Sequence, residues 1–426
     1  MTKCTIAEGD FLGWRAAFLK NDLVTVAGVP DIGGRIMAYD LGGYPYLYVD
    51  RNLAGRLFSP EENLGDDSMA SWKNYGGDKT WPAPQGWDDE DQWHGPPDPI
   101  LDSGRYRLEA LESDGDKASF RMVSPTGSPT GVQIVRQATI RAGSSRVSLE
   151  LSFRNLSERT VRWSVWDVVQ LRAERIDAGG RLAPQEKCVV SAPINPLSRF
   201  PKGFQVMFGD SLNPQWHTDP GGTVFLGDYR WEIGKVGLDT RKGWAAFANA
   251  AEEYAFCVRF PVYPNEEYPD DGAAVEFWTV GRGRVANLDY DNSDIYLMEC
   301  EVLSPMRRLP PGDSTSFQIE WGACRCSGPI VAVTDAGCAG SDFQAVRKGD
   351  HVHLSGTFGV FDLGHLESVW KDKAGRELAR VDMGPVSPLE AVLLDRAELA
   401  PEAARAVDLV AKTDGVKRLL AHSEVS

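Results

Sequence analysis

Glu299 and Glu301, two residues apart in YLMECEVLSP (Tyr296–Pro305), have the spacing that proton-transfer chemistry needs. In a strand, a period of two places both carboxylates on one face, with Met298 and Cys300 on the other. Carboxylates that share a face push one another's pKa upward, which is what a general acid or base working near neutral pH requires. The same pattern also fits a solvent-facing polar face whose acids pair with arginine. A further acid, Asp167, stands beside Trp166 in the otherwise apolar run WSVWDVVQL (Trp163–Leu171), with Gln170 three residues on. In that company it is either a paired structural carboxylate or a ligand contact.

The run NYGGDKTWPAPQGW (Asn74–Trp87) crowds two adjacent glycines, an acid, a lysine and two tryptophans between prolines. Gly76 and Gly77 permit backbone angles that other residues resist, Pro82 and Pro84 fix their own φ, and exposed tryptophans are costly. Such a segment is poor helix and poor strand; as a rigid loop it suits a ligand face, and carbohydrate is the matching ligand. Sugars present apolar C–H faces to rings such as Trp81 and hydroxyls to Asn74, Asp78, Lys79 and Gln85. The competing reading is an aromatic plug buried between sheets.

Arg35, in DIGGRIMAYDLGGYPYLYV (Asp31–Val49), carries forked donors that hold a hydroxyl or carboxylate, or else pin a turn. Tyr44 and Tyr46 beside it are platform or core. GKVGLDTRKGW (Gly234–Trp244) offers Lys235 and Asp239 on an expected loop. The acidic stretch FPVYPNEEYPDDG lacks the ligand spacing of a calcium loop. His94 and His217 each follow a tryptophan in a turn. No nucleophile elbow, zinc-protease helix, phosphate-binding loop or dinucleotide fingerprint is present in the sequence, which removes those reaction classes.

These residues must be held by strands. VQIVRQATIRA and RVSLELSFRNL alternate cleanly, and the polar turn NLSERT leads into WSVWDVVQL, which predicts a hairpin inside an antiparallel sheet. Further strands are expected over Gly243–Ala248, Tyr254–Phe260, Ala274–Val280, Ile295–Leu303 and Ser314–Gly322. Short strands separated by Gly, Pro, Asn and Asp indicate an all-β sandwich or barrel. A turn-rich segment from Ser327 opens a second unit of about one hundred residues, a small β-sandwich. The expected division is residues 1–326 and 327–426, with Ala400–Ala411 as the one short helix or extended turn.

The 426 residues suffice for a large core, and 61 acids against 45 bases give a formal net charge of −16. That balance excludes nucleic acid as the expected partner. With no secretory apolar core at the N-terminus and no run near ~20 apolar residues, the chain is expected to be soluble, cytoplasmic and free of membrane. Seven cysteines at scattered positions are no disulfide framework, and the Cys324–Cys326 pair finds no second pair at zinc spacing, so no metal or cofactor is expected.

Taken in order, GGRIMAYDLG, GGDKTWPAPQ, WSVWDVVQL, GKVGLDTRKGW and YLMECEVLSPMRRLPPGDSTSFQIEW resemble an uncharacterised bacterial family, a domain of unknown function, in the galactose-mutarotase-like group, over roughly residues 10–323. The resemblance implies a β-supersandwich, a large two-layered antiparallel fold, followed here by an Ig-like sandwich. The concave face of that fold binds sugars in aldose epimerases, some polysaccharide lyases and several glycoside hydrolases. In aldose epimerases a carboxylate late in the chain removes the anomeric hydroxyl proton, and an earlier histidine protonates the ring oxygen. Glu299 resembles the late glutamate, with Glu301 as the alternative. The histidine has no counterpart, since Trp166 and Asp167 stand in its strand. Lys79, Asp78 or Asp167 would replace it as the acid, a lysine only if burial lowers its pKa. Two functions follow: a carbohydrate-active enzyme of epimerase, lyase or glycosidase type with Glu299 or Glu301 and Lys79 or Asp167 as its acid/base groups, or a non-catalytic carbohydrate-binding or scaffold protein. The candidate ligand contacts are Arg35, Asn74, Asp78, Trp81, Gln85, Trp166 and Lys235.

Overall fold

The strand Val147–Asn155 buries Val147, Leu149, Leu151 and Phe153 and exposes Ser148, Glu150 and Arg154, as its alternation requires. The computed structural model of the chain describes residues 3–64, 71–84, 98–285, 288–289 and 294–426 and is all-β. The described strands form a twelve-stranded, a ten-stranded and two two-stranded sheets over residues 5–325, and a five-stranded and a four-stranded sheet over residues 332–424. The two large sheets lie face to face, the two-layered antiparallel arrangement that the resemblance implies.

One half of the twelve-stranded sheet holds, side by side, Asp78–Ala83, Val161–Arg172, Leu297–Leu303, Val275–Thr279, Gly234–Leu238 and the edge strand Gln205–Phe208. One face of these strands sends Val165, Val169, Met298, Cys300, Val302, Phe277 and Val236 into a core shared with Ile134, Leu149, Phe256 and Trp321 of the other sheet. Each such side chain contributes roughly 1.5–3 kcal/mol on burial, so this face is committed to packing. The strand Val161–Arg172 is unusual in being buried on both faces beyond Arg162. Its second face therefore meets something other than the intersheet core.

Four local expectations are corrected. Asp78–Ala83, expected within a loop, is a fully buried strand between Arg35–Leu41 and Val161–Arg172, because its neighbours on both sides satisfy a backbone that its own composition does not mark as extended. The segment NLSERT does not close a hairpin, because Val147–Asn155 pairs with Val132–Arg141 and Ser314–Arg325, while Val161–Arg172 pairs with Asp78–Ala83 and Leu297–Leu303. The turn instead carries the chain from one sheet to the other. Alternation identifies the buried face of a strand and says nothing of its edge partner. Ala400–Ala411 is not a helix: Ala406–Thr413 is a strand between Gly364–Lys371 and Val416–Glu424, with Val407 and Leu409 buried. Lys235 lies in the strand Gly234–Leu238 and not on a loop. Among the described residues no helix is long and apolar enough to cross a membrane.

Residues from 327 onward close over the outer face of the ten-stranded sheet. Ile330, Cys338 and Phe361 join Trp244, Cys257, Cys324 and Cys326 in one apolar cluster, with Cys324 Sγ 3.4 Å from Cys338 Sγ. The approach is close: a Cβ on Gly359 would meet Cys324 Sγ at 2.3 Å. At the rim, Arg146 Nε donates to both carboxylate oxygens of Asp362 at 3.2 Å. A chain ending at Cys326 is accordingly expected to expose this cluster and to aggregate or bind a hydrophobic dye. A monodisperse truncated protein with the full chain's near-ultraviolet circular dichroism would show that the face tolerates water.

Candidate active site

On the face turned away from the intersheet core, period two places Lys79 and Trp81 on the first of the six strands, and Trp166, Val168 and Gln170 on the second. Glu299 and Glu301 stand on the third, Glu276 and Trp278 on the fourth, and Lys235 on the fifth. Gly76 and Gly77 set the entry to the first strand. Both have positive φ, and a Cβ on Gly76 would lie 2.2 Å from the Tyr48 carbonyl oxygen.

Lys79 Nζ lies 3.1 Å from Glu299 Oε1, and Gln170 Nε2 donates to the same oxygen at 2.6 Å. Both donors land on Oε1, so among the described residues Oε2 keeps its accepting capacity. The ammonium sits 4.8 Å from the centre of the Trp81 ring and 5.7 Å from that of Trp72. Burial lowers the pKa of Lys79 below the ordinary lysine value; the Arg35 charge adds to this, and Glu299 opposes it without reversing it. A second constellation adjoins the first. Lys235 Nζ lies 2.7 Å from Glu276 Oε2, 3.1 Å from Glu301 Oε2 and 4.4 Å from the Trp166 ring centre, while Trp166 Nε1 donates to Glu301 at 2.9 Å. Burial pushes Glu276 and Glu301 upward. Burial would also lower Lys235, but Glu276 and Glu301 outweigh it and hold its pKa above the ordinary value.

Several expected site residues lie elsewhere. Asp78 and Asp167 point to the intersheet side, opposite Lys79 and Trp166, because alternation along each strand forces neighbours apart. There Arg136 from the facing sheet forms an ion pair with Asp78, lies 3.8 Å from Asp167, and donates to the Gly34 carbonyl oxygen at 2.8 Å. Thr80 Oγ1 donates to Asp167 at 3.2 Å. Burial raises both carboxyls, most strongly Asp167, which is also raised by the Asp78 charge. Asp167 thus lies on the opposite face of the sheet from Glu299, beside Arg136.

Arg35 is fully buried and pairs with Asp102 at 2.5 Å while donating to the Gly76 carbonyl oxygen at 3.1 Å. Asp102 also accepts from Asn63 Nδ2 and Trp72 Nε1 at 2.9 and 3.0 Å, so Arg35 acts behind the site by fixing Trp72. Asp102 is itself placed by the short helix Pro99–Ser103, capped by Asp98. Asn74 accepts from Gly76 N at 3.3 Å and shapes the turn. Trp81 is 6% exposed, enclosed by Trp72 and Trp166 at ring separations of 5.9 and 5.7 Å, so it is not an open stacking platform. His217 pairs with Asp228 in the other sheet. Gln85, Trp87 and His94 lie outside the described residues.

Glu276 and Trp278 are the site residues that sequence reasoning missed. Their signal was present, since in VEFWT the apolar Val275 and Phe277 alternate with them. A strand with one committed face offers its other face to the neighbouring strand's acids.

No protein-family model and no curated protein matches the chain. Among solved structures it is similar to a TPR-domain containing protein from Parabacteroides distasonis, at 12% identity and a TM-score of 0.47, covering 72% of this chain and 46% of that one. The chain thus spans less than half the length of that relative. It is similar also to a galactose mutarotase-like protein from Clostridium acetobutylicum, at 12% identity and a TM-score of 0.47, covering 76% of this chain and 99% of that one. A galactose mutarotase-like protein from Lactobacillus casei is similar at 9% identity and a TM-score of 0.42, covering 72% and 99%. At these values the likeness bears on no side chain of the site.

Proposed function

We propose that this chain is a carbohydrate-active protein that takes a mono- or oligosaccharide at the Lys79–Glu299 face and acts on it by general acid/base chemistry of the epimerase, lyase or glycosidase type. The observation that carries the proposal is the contact of 3.1 Å between a buried ammonium and a carboxylate among indole rings. A base and an acid so close converge on one atom-sized region, which is the geometric requirement for proton exchange on a single carbon centre. In the epimerase version, Glu299 takes the proton of the anomeric hydroxyl as Lys79 gives one to the ring oxygen. The ring C–O bond breaks with its electron pair going to the ring oxygen, the aldehyde turns, and both transfers reverse on closure. This chemistry calls on side chains alone. Lys79 fills the acid's part because none of the described histidines lies on this face.

Proton NMR of reducing sugars and short oligosaccharides with the protein tests the proposal. Catalysed anomeric exchange or a new product supports it; a full panel without exchange, product or saturation transfer overturns it. Saturation transfer without chemistry supports the second reading, a binding protein, which draws on the direct Lys79–Glu299 pairing, since an ion pair satisfied by itself needs no turnover.

If Lys79 is the acid, its protonated form is the active one. Activity is then lost as pH rises through its lowered pKa, on the acid side of the ordinary lysine value of 10.5. The pH profile of kcat/KM is expected to show that basic limb, and Lys79→Met is expected to lose about 10²–10⁴-fold, the usual worth of one positioned acid. A profile flat to the limit of protein stability would remove Lys79 from the reaction.

A further inference from the structure

We infer that the site takes an oligosaccharide rather than a single sugar, with one residue at Glu299 and the next stacked on an aromatic platform made by Trp278 and Phe208. The inference rests on the carbohydrate reading and adds the class of substrate to it. Gln170, Glu299, Trp278, Lys235 and Phe208 are successive backbone partners across five adjacent strands, so they form one row on the active face. At about 4.8 Å per strand the row runs about 19 Å, longer than a single sugar ring.

Exposure separates the rings on this face. Trp81 and Trp166 are 6% and 4% exposed and are occupied with Lys79, Lys235 and one another. Trp278 and Phe208 are only partly buried. Their centroids lie 5.9 Å apart at 37°, so the two rings do not cover each other's faces. Glu299 and Lys235 flank Trp278; Glu299 supplies an acceptor for sugar hydroxyls beside a stacked C–H face, while the Lys235 ammonium is held by Glu276 and Glu301.

The placement of Phe208 is a separate observation. Gln205 and Val206 pair in register with Gly237 and Val236, but Phe208, and not Met207, stands opposite Lys235. One extra residue in the strand brings a ring onto the row where regular pairing would have put Met207. Bulges of this kind re-aim a side chain at the cost of a local ladder hydrogen bond, and they concentrate near binding sites.

Binding of cellotriose, maltotriose and β-1,4-galactotriose is compared with that of glucose and galactose by saturation-transfer NMR and titration of the full chain. At least one trisaccharide is expected to bind about tenfold more tightly than its own monosaccharide, the scale of an added aromatic contact. In Trp278→Ala the ratio of the two affinities should collapse toward one, and in Phe208→Ala it should fall part of the way. Trp278→Phe should keep most of the ratio, which separates loss of the ring from loss of the fold. Equal affinities for both lengths in the wild type overturn the inference and leave the carbohydrate reading standing, as does a ratio untouched by Trp278→Ala. Binding of no sugar at either length overturns both.

Discussion

Glu299→Gln is expected to reduce turnover by about 10²–10⁴-fold, the contribution of one general base, with the circular dichroism of the wild type retained. The amide keeps the shape of the carboxylate and can still accept hydrogen bonds from Lys79 and Gln170, which reach Oε1 at 3.1 and 2.6 Å. What it cannot do is hold a proton taken from a substrate hydroxyl. The substitution also removes the charge that supports the Lys79 ammonium against burial, so the pKa of Lys79 falls further. Any residual activity should therefore show its basic limb at lower pH than the wild type. Glu301→Gln provides the contrast. Glu301 is fully buried and held by Trp166 and Lys235, so its loss is expected to act on folding or affinity more than on proton transfer. Wild-type turnover in Glu299→Gln would move the base to Glu301 or end the acid/base reading.

Arg136→Met is expected to destabilise the protein by about 3–5 kcal/mol, as measured by urea unfolding, because it strands buried carboxyls that a cation now holds. Asp167→Asn is the opposite case. Burial and the Asp78 charge raise the Asp167 pKa well above 3.8, so the folded chain keeps a proton that the unfolded chain releases. Its contribution to stability is complete below the unfolded pKa and is lost as pH rises toward the folded one. An amide stays neutral throughout. The stability of Asp167→Asn relative to wild type should therefore improve as pH rises from the ordinary carboxyl value of 3.8 toward the raised folded one. A constant difference across that range would mean that Asp167 is ionised in the fold. The cluster matters to the site because Asp78 and Thr80 alternate with Lys79 and Trp81 in one strand. Arg136 anchors that strand to the other sheet from behind.

The two constellations on the active face differ in which member is open: the carboxylate in the first, where Lys79 is 2% exposed, and the lysine in the second, where Lys235 is 17% exposed. Glu299 is 13% exposed at its side chain and Glu301 is not exposed at all. The Lys235 ammonium lies between two carboxylates that burial pushes toward the neutral form, whereas Lys79 has one carboxylate partner among the described residues and a lowered pKa. Two titratable pairs driven in opposite directions on one face are the arrangement in which acid and base assignments separate. Indole rings over both ammonium groups limit the water that would otherwise level the difference.

Much of the fold was legible because strand formation is local. Alternation marked Val147–Asn155, Tyr254–Arg259 and Leu297–Leu303 at nearly their observed bounds, and it placed Glu299 and Glu301 together with Met298 and Cys300 behind them. The failures share a cause. NLSERT read as a hairpin because the partners of its flanking strands lie far off in sequence, at Ser314–Arg325 and Leu297–Leu303. Lys235 read as a loop residue because GKVGL is too short and glycine-rich to advertise a strand before its neighbours Val206 and Phe277 cover it.

The sequence by itself determined the strands whose alternation is clean, such as Val147–Asn155 and Leu297–Leu303, and which of their side chains share a face, because a period of two is a property of the extended backbone and needs no partner. Only the tertiary structure decided which face is inside, and with it which charges are chemistry and which are scaffold. Asp167 and Trp166 are neighbours in the chain, yet one is buried against Arg136 of the facing sheet and the other closes over Glu301. Nothing within a strand distinguishes its two faces. The distinction comes from the large apolar area that two sheets bury against each other, and that area is assembled from residues distant in sequence.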